Sequence, residues 1–548
     1  MAVVTLAGAH YSRYMRTAEA YFKAENAVPW WAAGIAIYKA NFTAYTFVAI
    51  ASLVYIDGMA GLLLESGPAL AFLLAATVFA RRWHRLRVTS PPEYLEARFN
   101  PATRKLFSVV GIAGTFISSG IRLYAVCKLV ESVMGLPLLP TILMAGAVMI
   151  TYTMLGGLCA VVVTDVLQFI ILFLAVIPMF ISSTAHIFMQ GSWADFVARI
   201  PAGYAAFPHP DHGRTLGWLL AFWFAYLLDY NGDWGVIQMM CSTPTERDAR
   251  KAAFLSTALA IPHAFLLLGP CFVARVLWPA EIADPGVVAQ AETAYGRVAL
   301  KLLPVGMIGV VAAAMLAATM STLSVAWNVR STSFVNDLYA RFLRPHAGDR
   351  EKILAGRLAV AAVGAIATSI AVVVALKSTG LFSLAQSLVG LLVIPLILPL
   401  LLGLLVRQAR SWACMATFFG CTALAALNRW GYGLIGLSQP LAFEGELVAI
   451  SVLGTAIMTG SCLFPRREDE ARRVAAFLRR MDQPVPAPQK APDIPAPVGV
   501  IGAMTLLIGA LVMLLVLLPQ SLLDRSLTAG IGGVLIAIGW LMKRSVPR

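Results

Sequence analysis

The chain has 548 residues, of which 59% are hydrophobic and 13% are charged, and its mean hydropathy is +0.78. A soluble domain does not need so much apolar surface, and many segments exceed the roughly 20 residues that span a bilayer as a helix. The net charge of +14 suggests nucleic-acid binding, but the basic residues lie in short loops between apolar segments, as positive-inside topology requires. We therefore predict an all-α polytopic protein of the lipid bilayer, without a nucleic-acid partner.

The apolar segments predict about fourteen transmembrane helices. They cover residues 29–55, 58–80, 106–136, 138–155, 158–186, 214–240, 252–278, 303–335, 353–376, 381–406, 411–428, 446–464, 497–519 and 525–543. With these helices, most basic loops fall on one side, which the positive-inside rule makes cytoplasmic. We expect a multi-pass protein of the cell membrane.

Two segments outside these helices have a distinct composition. Residues 466–481 predict an amphipathic cytoplasmic helix, and the Pro-rich residues 483–497 predict a stiff linker. Residues 2–9 are apolar but too short to span a membrane, and they lack the basic start of a signal peptide. We interpret residues 1–27 as cytoplasmic or as a truncated first helix.

Asp165 is the most informative residue of the chain. It lies about 10 Å inside an apolar segment, counting seven residues from Gly157–Leu158 at roughly 1.5 Å each. A carboxylate at such a depth is costly, and intramembrane acids usually mark ion or substrate pathways. The alternative is an acid at a helix end that is hydrated from the cytoplasm.

A second signal is a cluster of hydroxyl side chains at Ser321, Thr322 and Ser324, on a helix rich in alanine. Hydroxyl oxygens are hard ligands for a small cation, and small residues allow close helix approach. The alternative is that these side chains bond the carbonyls one turn earlier, which is common in membrane helices. Together with Asp165, the cluster supplies a carboxylate and two hydroxyls for a small cation.

These motifs identify a family resemblance. Residues 156–168 resemble the fifth-helix signature of the sodium:solute symporter family, and residues 320–324 resemble its eighth-helix signature. Supporting matches are residues 29–34, 89–99 and 245–251, with Gln238, and the similarity runs from about residue 16 to residue 410.

The resemblance implies the inverted five-plus-five helix repeat of the leucine transporter, with helices one and six broken at mid-membrane. The repeats would be residues 28–186 and 187–410. Two extra helices (411–464), a cytoplasmic helix with its linker (465–496) and two C-terminal helices (497–548) would follow. We expect the break in helix six within residues 229–234.

The resemblance also implies a sodium site. Its ligands would be the hydroxyls of Ser321 and Thr322 and the backbone carbonyls of Lys39 and Phe42, with Asp165 close by. Some relatives bind a second sodium through the helix-five acid and two further serines. Ser324 matches one of these serines, but Val325 occupies the other position, so a second sodium is not expected.

Lys39 departs from the family, whose members commonly carry a small residue there. Counting about nine residues inward from Trp30 places Lys39 at a depth similar to that of Asp165. In one interpretation its side chain points away and only its carbonyl is used, so that transport is coupled to sodium. In the other, its ammonium replaces sodium, and the protein is a uniporter, an exchanger or a proton-linked carrier.

The expected solute pocket lies at the midplane. Asn41, Glu65 and Gln386 match polar residues of sugar-transporting relatives, whereas Thr46 replaces a glutamine and Trp234 lies one place from the expected gate aromatic. Arg122 either clamps a substrate carboxylate or pairs with Glu65. Asp229 and Asp233 either contact a cationic or hydroxyl-bearing solute or solvate the helix break.

We therefore predict a secondary active transporter, coupled to sodium, for a small organic solute of the sugar, monocarboxylate or amino acid class. The alternatives are a sodium-independent or proton-linked carrier and a solute sensor that does not transport. An enzyme is not expected, because no nucleophile with a general base, metal motif or phosphate loop is recognisable. Sodium is the only cofactor-like ion that we expect.

Overall fold

The computed structural model describes residues 28–39, 45–88, 91–209, 213–303, 305–376, 386–435, 438–485, 497–517 and 522–544. Apart from one bridge between His209 and Arg214, the regular structure of these residues is helical. Eight helical segments among them are long and apolar enough to cross a membrane. The all-α membrane fold is thus as predicted, whereas the number of fourteen helices is not established.

Up to Ala198, the residues that the structure describes form nine α-helices, with π-helical turns at Thr46–Ile50 and Ala75–Phe79. They are α1 (Trp30–Lys39), α2 (Ala51–Asp57), α3 (Met59–Leu64), α4 (Gly67–Leu74), α5 (Ala80–Leu86), α6 (Pro91–Arg98), α7 (Pro101–Met134), α8 (Leu138–Met189) and α9 (Trp193–Ala198).

After Ala198, the described ranges contain further α-helices, with π-helical turns at Phe334–Leu343 and Val389–Val393. They are α10 (Leu216–Gly232), α11 (Trp234–Cys241), α12 (Glu246–Ala260), α13 (His263–Leu277), α14 (Pro279–Ile282), α15 (Val288–Ala291), α16 (Ala294–Leu302), α17 (Val305–Ser333), α18 (Asp349–Ala375), α19 (Ile394–Leu405), α20 (Ala413–Trp430), α21 (Phe443–Gly460), α22 (Glu468–Asp482), α23 (Pro497–Leu514) and α24 (Leu522–Arg544).

Helix α8 differs from the sequence prediction. The spans predicted at 138–155 and 158–186 belong to one helical segment of 52 residues, without a non-helical residue between them. The sequence prediction left Gly156 and Gly157 between the two spans. Glycine weakens a helix by about 1 kcal/mol but keeps its backbone N–H, so helical hydrogen bonding continues through it.

The predicted break in helix six is present. Helix α10 ends at Gly232, Asp233 has an extended backbone (φ −64°, ψ 128°), and α11 begins at Trp234. Asp233 also caps α11, because its carboxylate accepts a hydrogen bond of 3.0 Å from the Val236 N–H. In the first span, α1 ends at Lys39, and residues 40–44 lie outside the described residues.

Close helix contacts depend on small residues. A Cβ atom on Gly120 of α7 would lie 2.5 Å from the Ile370 side chain of α18. A Cβ atom on Gly364 of α18 would lie 2.4 Å from Ile150 of α8. Glycines at these two positions let the backbones approach closely, as they commonly do between membrane helices.

Most of the basic loops meet at one end of the bundle, which we call the basic end. Arg85 pairs with Glu246 at 2.6 Å, and Arg407 pairs with Asp482 of α22 at 2.8 Å. The buried Arg98 donates hydrogen bonds to backbone carbonyls at and beyond the C-terminal end of α19, including those of Gly403 and Val406. These are the carbonyls that a helix leaves without partners at its C-terminus. That the basic end faces the cytoplasm stays a prediction.

The opposite end is held by contacts between α2, α3 and the loop after α9. Arg214 donates to the Asp57 carboxylate at 2.8 Å. The Met59 N–H donates to the Tyr204 carbonyl at 3.0 Å, and the Tyr204 hydroxyl donates to the Val54 carbonyl at 2.8 Å. Gly58, with φ +56°, allows the chain to turn directly against Tyr204.

Candidate functional site

A cavity of about 310 Å³ lies between the first, second, sixth and eighth predicted spans, α7 and α19. Every predicted solute-binding residue that the structure describes lines it, and Lys39, Asp165 and Thr322 line it as well. These predicted residues are Thr46, Glu65, Arg122, Asp229, Asp233, Trp234 and Gln386. Asn41 and Phe42 lie outside the described residues. The structure therefore brings most of the predicted solute and ion residues to one place.

Lys39 and Asp165 form a buried ion pair at the wall of this cavity. The Lys39 Nζ atom lies 3.0 Å from Asp165 Oδ1, and the two side chains are 1% and 3% exposed. Lys39 also donates to the amide oxygen of Gln168, one turn after Asp165 on α8. A buried ion pair is favourable only with good geometry and further hydrogen bonds, and both are present here. The side chain of Lys39 therefore points toward Asp165, not away from it.

The hydroxyl cluster has a mixed arrangement. Thr322 lines the cavity, whereas the side chain of Ser321, also on α17, is outside the described part of the structure. Ser324 is fully buried, donates to the Met320 carbonyl at 2.6 Å and accepts from Thr153 at 3.2 Å. Ser324 thus makes the backbone hydrogen bond that is common for serine in membrane helices.

Glu65 has a partner that the sequence did not suggest. Its Oε1 atom lies 3.2 Å from Nε2 of His263 on α13, and Nδ1 of His263 lies 3.1 Å from the Tyr38 hydroxyl. The proposed pairing of Glu65 with Arg122 is therefore not the contact that the structure records. All three side chains are buried, so these polar contacts lie in a low-dielectric environment in which electrostatic interactions are strong.

Arg122, Asp229 and Gln386 contrast with these pairs. All three side chains are half-buried and line the cavity. Among the described residues they make no side-chain hydrogen bond and no ion pair within 4.0 Å, although Asp229 lies close enough to Arg122 to feel its charge. A guanidinium, a carboxylate and an amide are thus presented to the space that a solute would occupy.

The cavity extends from the middle of the bundle toward the basic end. Its lining includes Pro92 and Leu95 of α6, Phe107 near the start of α7 and Leu400 of α19. One aromatic stripe, formed by Phe222, Tyr226 and Tyr230 on successive turns of α10, covers another wall.

Arg330 is a cavity residue that the sequence reasoning missed. It lies near the end of α17, and its Nε atom donates to the Thr115 hydroxyl of α7 at 2.6 Å. An arginine inside a predicted membrane span is a signal in itself, which would have identified it. The contact of Gln168 with Lys39 was also predictable from the sequence, because Gln168 lies three residues after Asp165 and therefore shares its helix face.

A helical membrane bundle with a broken helix, a charged central cavity and a buried cation–carboxylate pair is the architecture of a secondary transporter. Residues 21–420 match the sequence profile of the sodium:solute symporter family. The chain belongs to this family.

Several characterised proteins are similar to the chain. The sodium/glucose cotransporter of Vibrio parahaemolyticus is 27% identical over 65% of this chain and 69% of its own length. The sodium/sialic acid symporter of Proteus mirabilis is 23% identical over 82% of this chain and 93% of its own length. The sodium/glucose cotransporter 2 of Rattus norvegicus is 28% identical over 69% of this chain and 62% of its own length.

Solved structures share the fold. A Na⁺-coupled sialic acid symporter, in its substrate-bound outward-open state, superposes with a TM-score of 0.69 over 85% of this chain and 96% of its own chain, at 23% identity. A nucleobase-cation-symport-1 family transporter in a closed conformation gives a TM-score of 0.51 over 83% of this chain and 98% of its own, at 16% identity.

Proposed function

We propose that the chain carries out sodium-coupled symport of a small polar solute that bears a carboxylate. The observation that carries this proposal is the Arg122 guanidinium, which faces the cavity without an ion-pair partner among the described residues. A guanidinium binds a carboxylate through two parallel hydrogen bonds, which makes it the usual side chain for recognising such a group. A positive charge at mid-membrane that no described residue pairs with is costly, so its presence favours a role in binding.

The rest of the cavity fits the other end of such a solute. The carboxylate of Asp229 and the amide of Gln386 accept hydrogen bonds from an amino or hydroxyl group. The faces of Tyr226 and Tyr230 pack against its carbon skeleton. A hydroxylated monocarboxylate or an amino acid has both a carboxylate for Arg122 and a hydrogen-bond donor for Asp229 or Gln386. The sialic acid named for one relative belongs to the first class.

Sodium coupling is supported by the family. Of Lys39 it needs only the backbone carbonyl, and the side chain points toward Asp165 and not away from it as the sodium interpretation assumed. The site would use the Lys39 and Phe42 carbonyls with the Ser321 and Thr322 hydroxyls, and Asp165 would lie beside it. These are hard oxygen ligands of the kind that a small, hard cation prefers. Ser324 donates to a carbonyl of its own helix, which argues against a second sodium at that residue.

The position of the cavity suggests the state of the transport cycle. It reaches the basic end, which the positive-inside rule assigns to the cytoplasm, while contacts such as Arg214–Asp57 tie the opposite end together. We interpret this as an inward-facing conformation in the cell membrane.

The test is uptake into proteoliposomes from a panel of sialic acid, small monocarboxylates, amino acids, glucose and myo-inositol. We expect accumulation of a carboxylate-bearing solute when an inward sodium gradient is applied, and little accumulation when choline replaces sodium. Uptake of glucose or inositol alone would contradict the carboxylate assignment. Binding without accumulation or exchange would favour a sensor.

A second candidate function follows from the Lys39–Asp165 contact. The Lys39 ammonium lies 3.0 Å from the Asp165 carboxylate, so it supplies the positive charge that a bound cation would bring to this site. In this alternative the protein is a sodium-independent or proton-linked carrier. Transport that is unchanged when choline replaces sodium, measured from pH 5 to 8, would establish this alternative and remove the sodium assignment.

A further inference from the structure

Arg330 places a second guanidinium in the cavity, closer to the basic end than Arg122. Its Nε atom donates to the Thr115 hydroxyl at 2.6 Å, and that hydroxyl in turn donates to the Gly111 carbonyl at 2.9 Å. A Cβ atom on Gly111 would lie 3.3 Å from Arg330 Nη1, so glycine at this position leaves space for the guanidinium. Two residues of α7 thus orient the guanidinium of Arg330, which extends from α17.

The positive charge of Arg330 is not neutralised by an ion pair. Thr115 is the only hydrogen-bond partner of its side chain in the described part of the chain, and that partner is neutral. Asp233 is close enough to interact electrostatically with Arg330, but the two do not come within the 4.0 Å of a salt bridge. The terminal nitrogens of Arg330 are therefore available to an anion, and an intramembrane charge with this freedom indicates a functional site.

The two arginines form two similar levels along the cavity. Thr115, which binds Arg330, precedes Arg122 by seven residues on α7, a separation of roughly 10 Å along the helix. Asp233, the residue directly after α10, lies one turn beyond Asp229, roughly 6 Å along the helix axis. Arg122 with Asp229 makes the upper level, and Arg330 with Asp233 makes the lower level. Each level offers one guanidinium and one carboxylate.

We propose that Arg330, Thr115 and Asp233 form a second solute-binding level, which takes the carboxylate of the solute after it leaves Arg122. This inference rests on the proposed function, because it assumes a carboxylate-bearing solute. The two levels are separated by roughly 6 Å along the axis of α10 and roughly 10 Å along α7, so a solute carboxylate that leaves Arg122 stays within a short distance of the next guanidinium. Arg330 then determines which solutes bind from the side of the membrane at which the basic end lies.

The first experiment uses the sidedness that this position predicts. Solute concentration for half-maximal transport is measured in right-side-out and in inside-out membrane vesicles. We expect Arg330→Gln to raise it about tenfold from the side of the basic end only, which corresponds to about 1.4 kcal/mol. Arg330→Lys should recover most of the loss, and Arg122→Gln should raise it from both sides. Equal effects of Arg330→Gln on both sides, or no effect, would overturn the proposal.

The second experiment does not depend on the solute or on sodium. A cysteine is introduced by Ser118→Cys, one turn from Thr115 on the cavity wall, and the same chain without it gives the background. The modification rates with a negatively and a positively charged methanethiosulfonate reagent are then compared. We expect Arg330→Gln to lower the negative-to-positive rate ratio at least fivefold, whereas Arg330→Lys and the exposed-site control Arg472→Gln leave it unchanged.

An unchanged ratio with Arg330→Gln would contradict an accessible, uncompensated charge at Arg330, whatever the transported solute is. A lowered ratio in a protein that transports only uncharged solutes would keep the anion site and reject the proposed function. The two outcomes are therefore distinguishable.

Discussion

Two charged regions border the same cavity and differ in how their charges are satisfied. In the first, the Lys39 ammonium is bound by the Asp165 carboxylate and the Gln168 amide, and the pair is almost completely buried. In the second, Arg122 and Asp229 face the cavity without hydrogen bonds or ion pairs to the described residues. Both regions pay the cost of charge in an apolar environment, but only the second leaves its groups open to a ligand.

The comparison separates charges that hold the protein together from charges that select its cargo. Removing one member of a buried pair leaves an uncompensated charge, so such a change acts on folding. Removing an unpartnered cavity charge relieves a cost in the empty protein and acts on solute binding. Four substitutions test this distinction, each with a smaller expected effect than the one before.

Lys39→Met should have the largest effect. It leaves Asp165 buried without its cation, which costs about 3–5 kcal/mol of stability. The double variant with Asp165→Asn should regain most of this loss. Thermal unfolding of the detergent-purified protein, in sodium chloride and in choline chloride, measures it. Stabilisation of Lys39→Met by sodium alone would indicate that the ion takes the place of the ammonium.

If Lys39→Met unfolds at the wild-type temperature, the pair is not structural, and the distinction between the two regions fails at its first member.

Arg122→Gln should reduce transport without reducing stability. Hydrogen bonds to charged groups contribute about 1.5–3 kcal/mol, so the ratio of maximal rate to half-saturation concentration should fall roughly 10- to 150-fold. The measurement is initial uptake into proteoliposomes, and Arg122→Lys serves as the charge-preserving control. A lower unfolding temperature with unchanged uptake would place Arg122 among the structural charges instead.

Tyr38→Phe should have a moderate effect on stability. It removes the 3.1 Å contact between the Tyr38 hydroxyl and His263 Nδ1, and one hydrogen bond contributes about 0.5–1.5 kcal/mol. Thermal unfolding measures the change, and Tyr55→Phe, which removes a buried hydrogen bond to the Ala283 carbonyl, provides a matched control. A loss several times larger than in the control would show that the row from Tyr38 to Glu65 acts as one cooperative unit.

Arg472→Ala should have the smallest effect. Its ion pair with Glu468 on α22 is exposed to solvent, and a pair of this kind contributes about 0.3–0.5 kcal/mol. We expect uptake and unfolding temperature close to those of the wild type. A clear loss of uptake or a clear fall in unfolding temperature would mean that the exposed face of α22 also contributes to transport or stability.

The sequence predicts the fold and the ion region better than the contacts of the cavity. Long apolar segments and two signature motifs are local patterns, and counting residues from the helix start placed Lys39 at the depth of Asp165. The partner of Glu65 was not predictable in this way, since His263 reaches it from a distant helix whose packing is set by the whole bundle. The continuity of α8 through a glycine pair was also missed, because the propensity of glycine is only a weak guide in a packed membrane helix.

The contacts of helix α22 offer a way to measure conformational change during transport. Phe477 packs against Tyr94 of α6, Asp482 binds Arg407 beyond α19, and Arg85 of α5 donates to the carbonyl of Asp482. Helix α22 therefore contacts three elements that belong to different parts of the bundle. A fluorophore on its exposed face would sense their relative displacement, and it would report each turnover from outside the cavity without occupying the path of the solute.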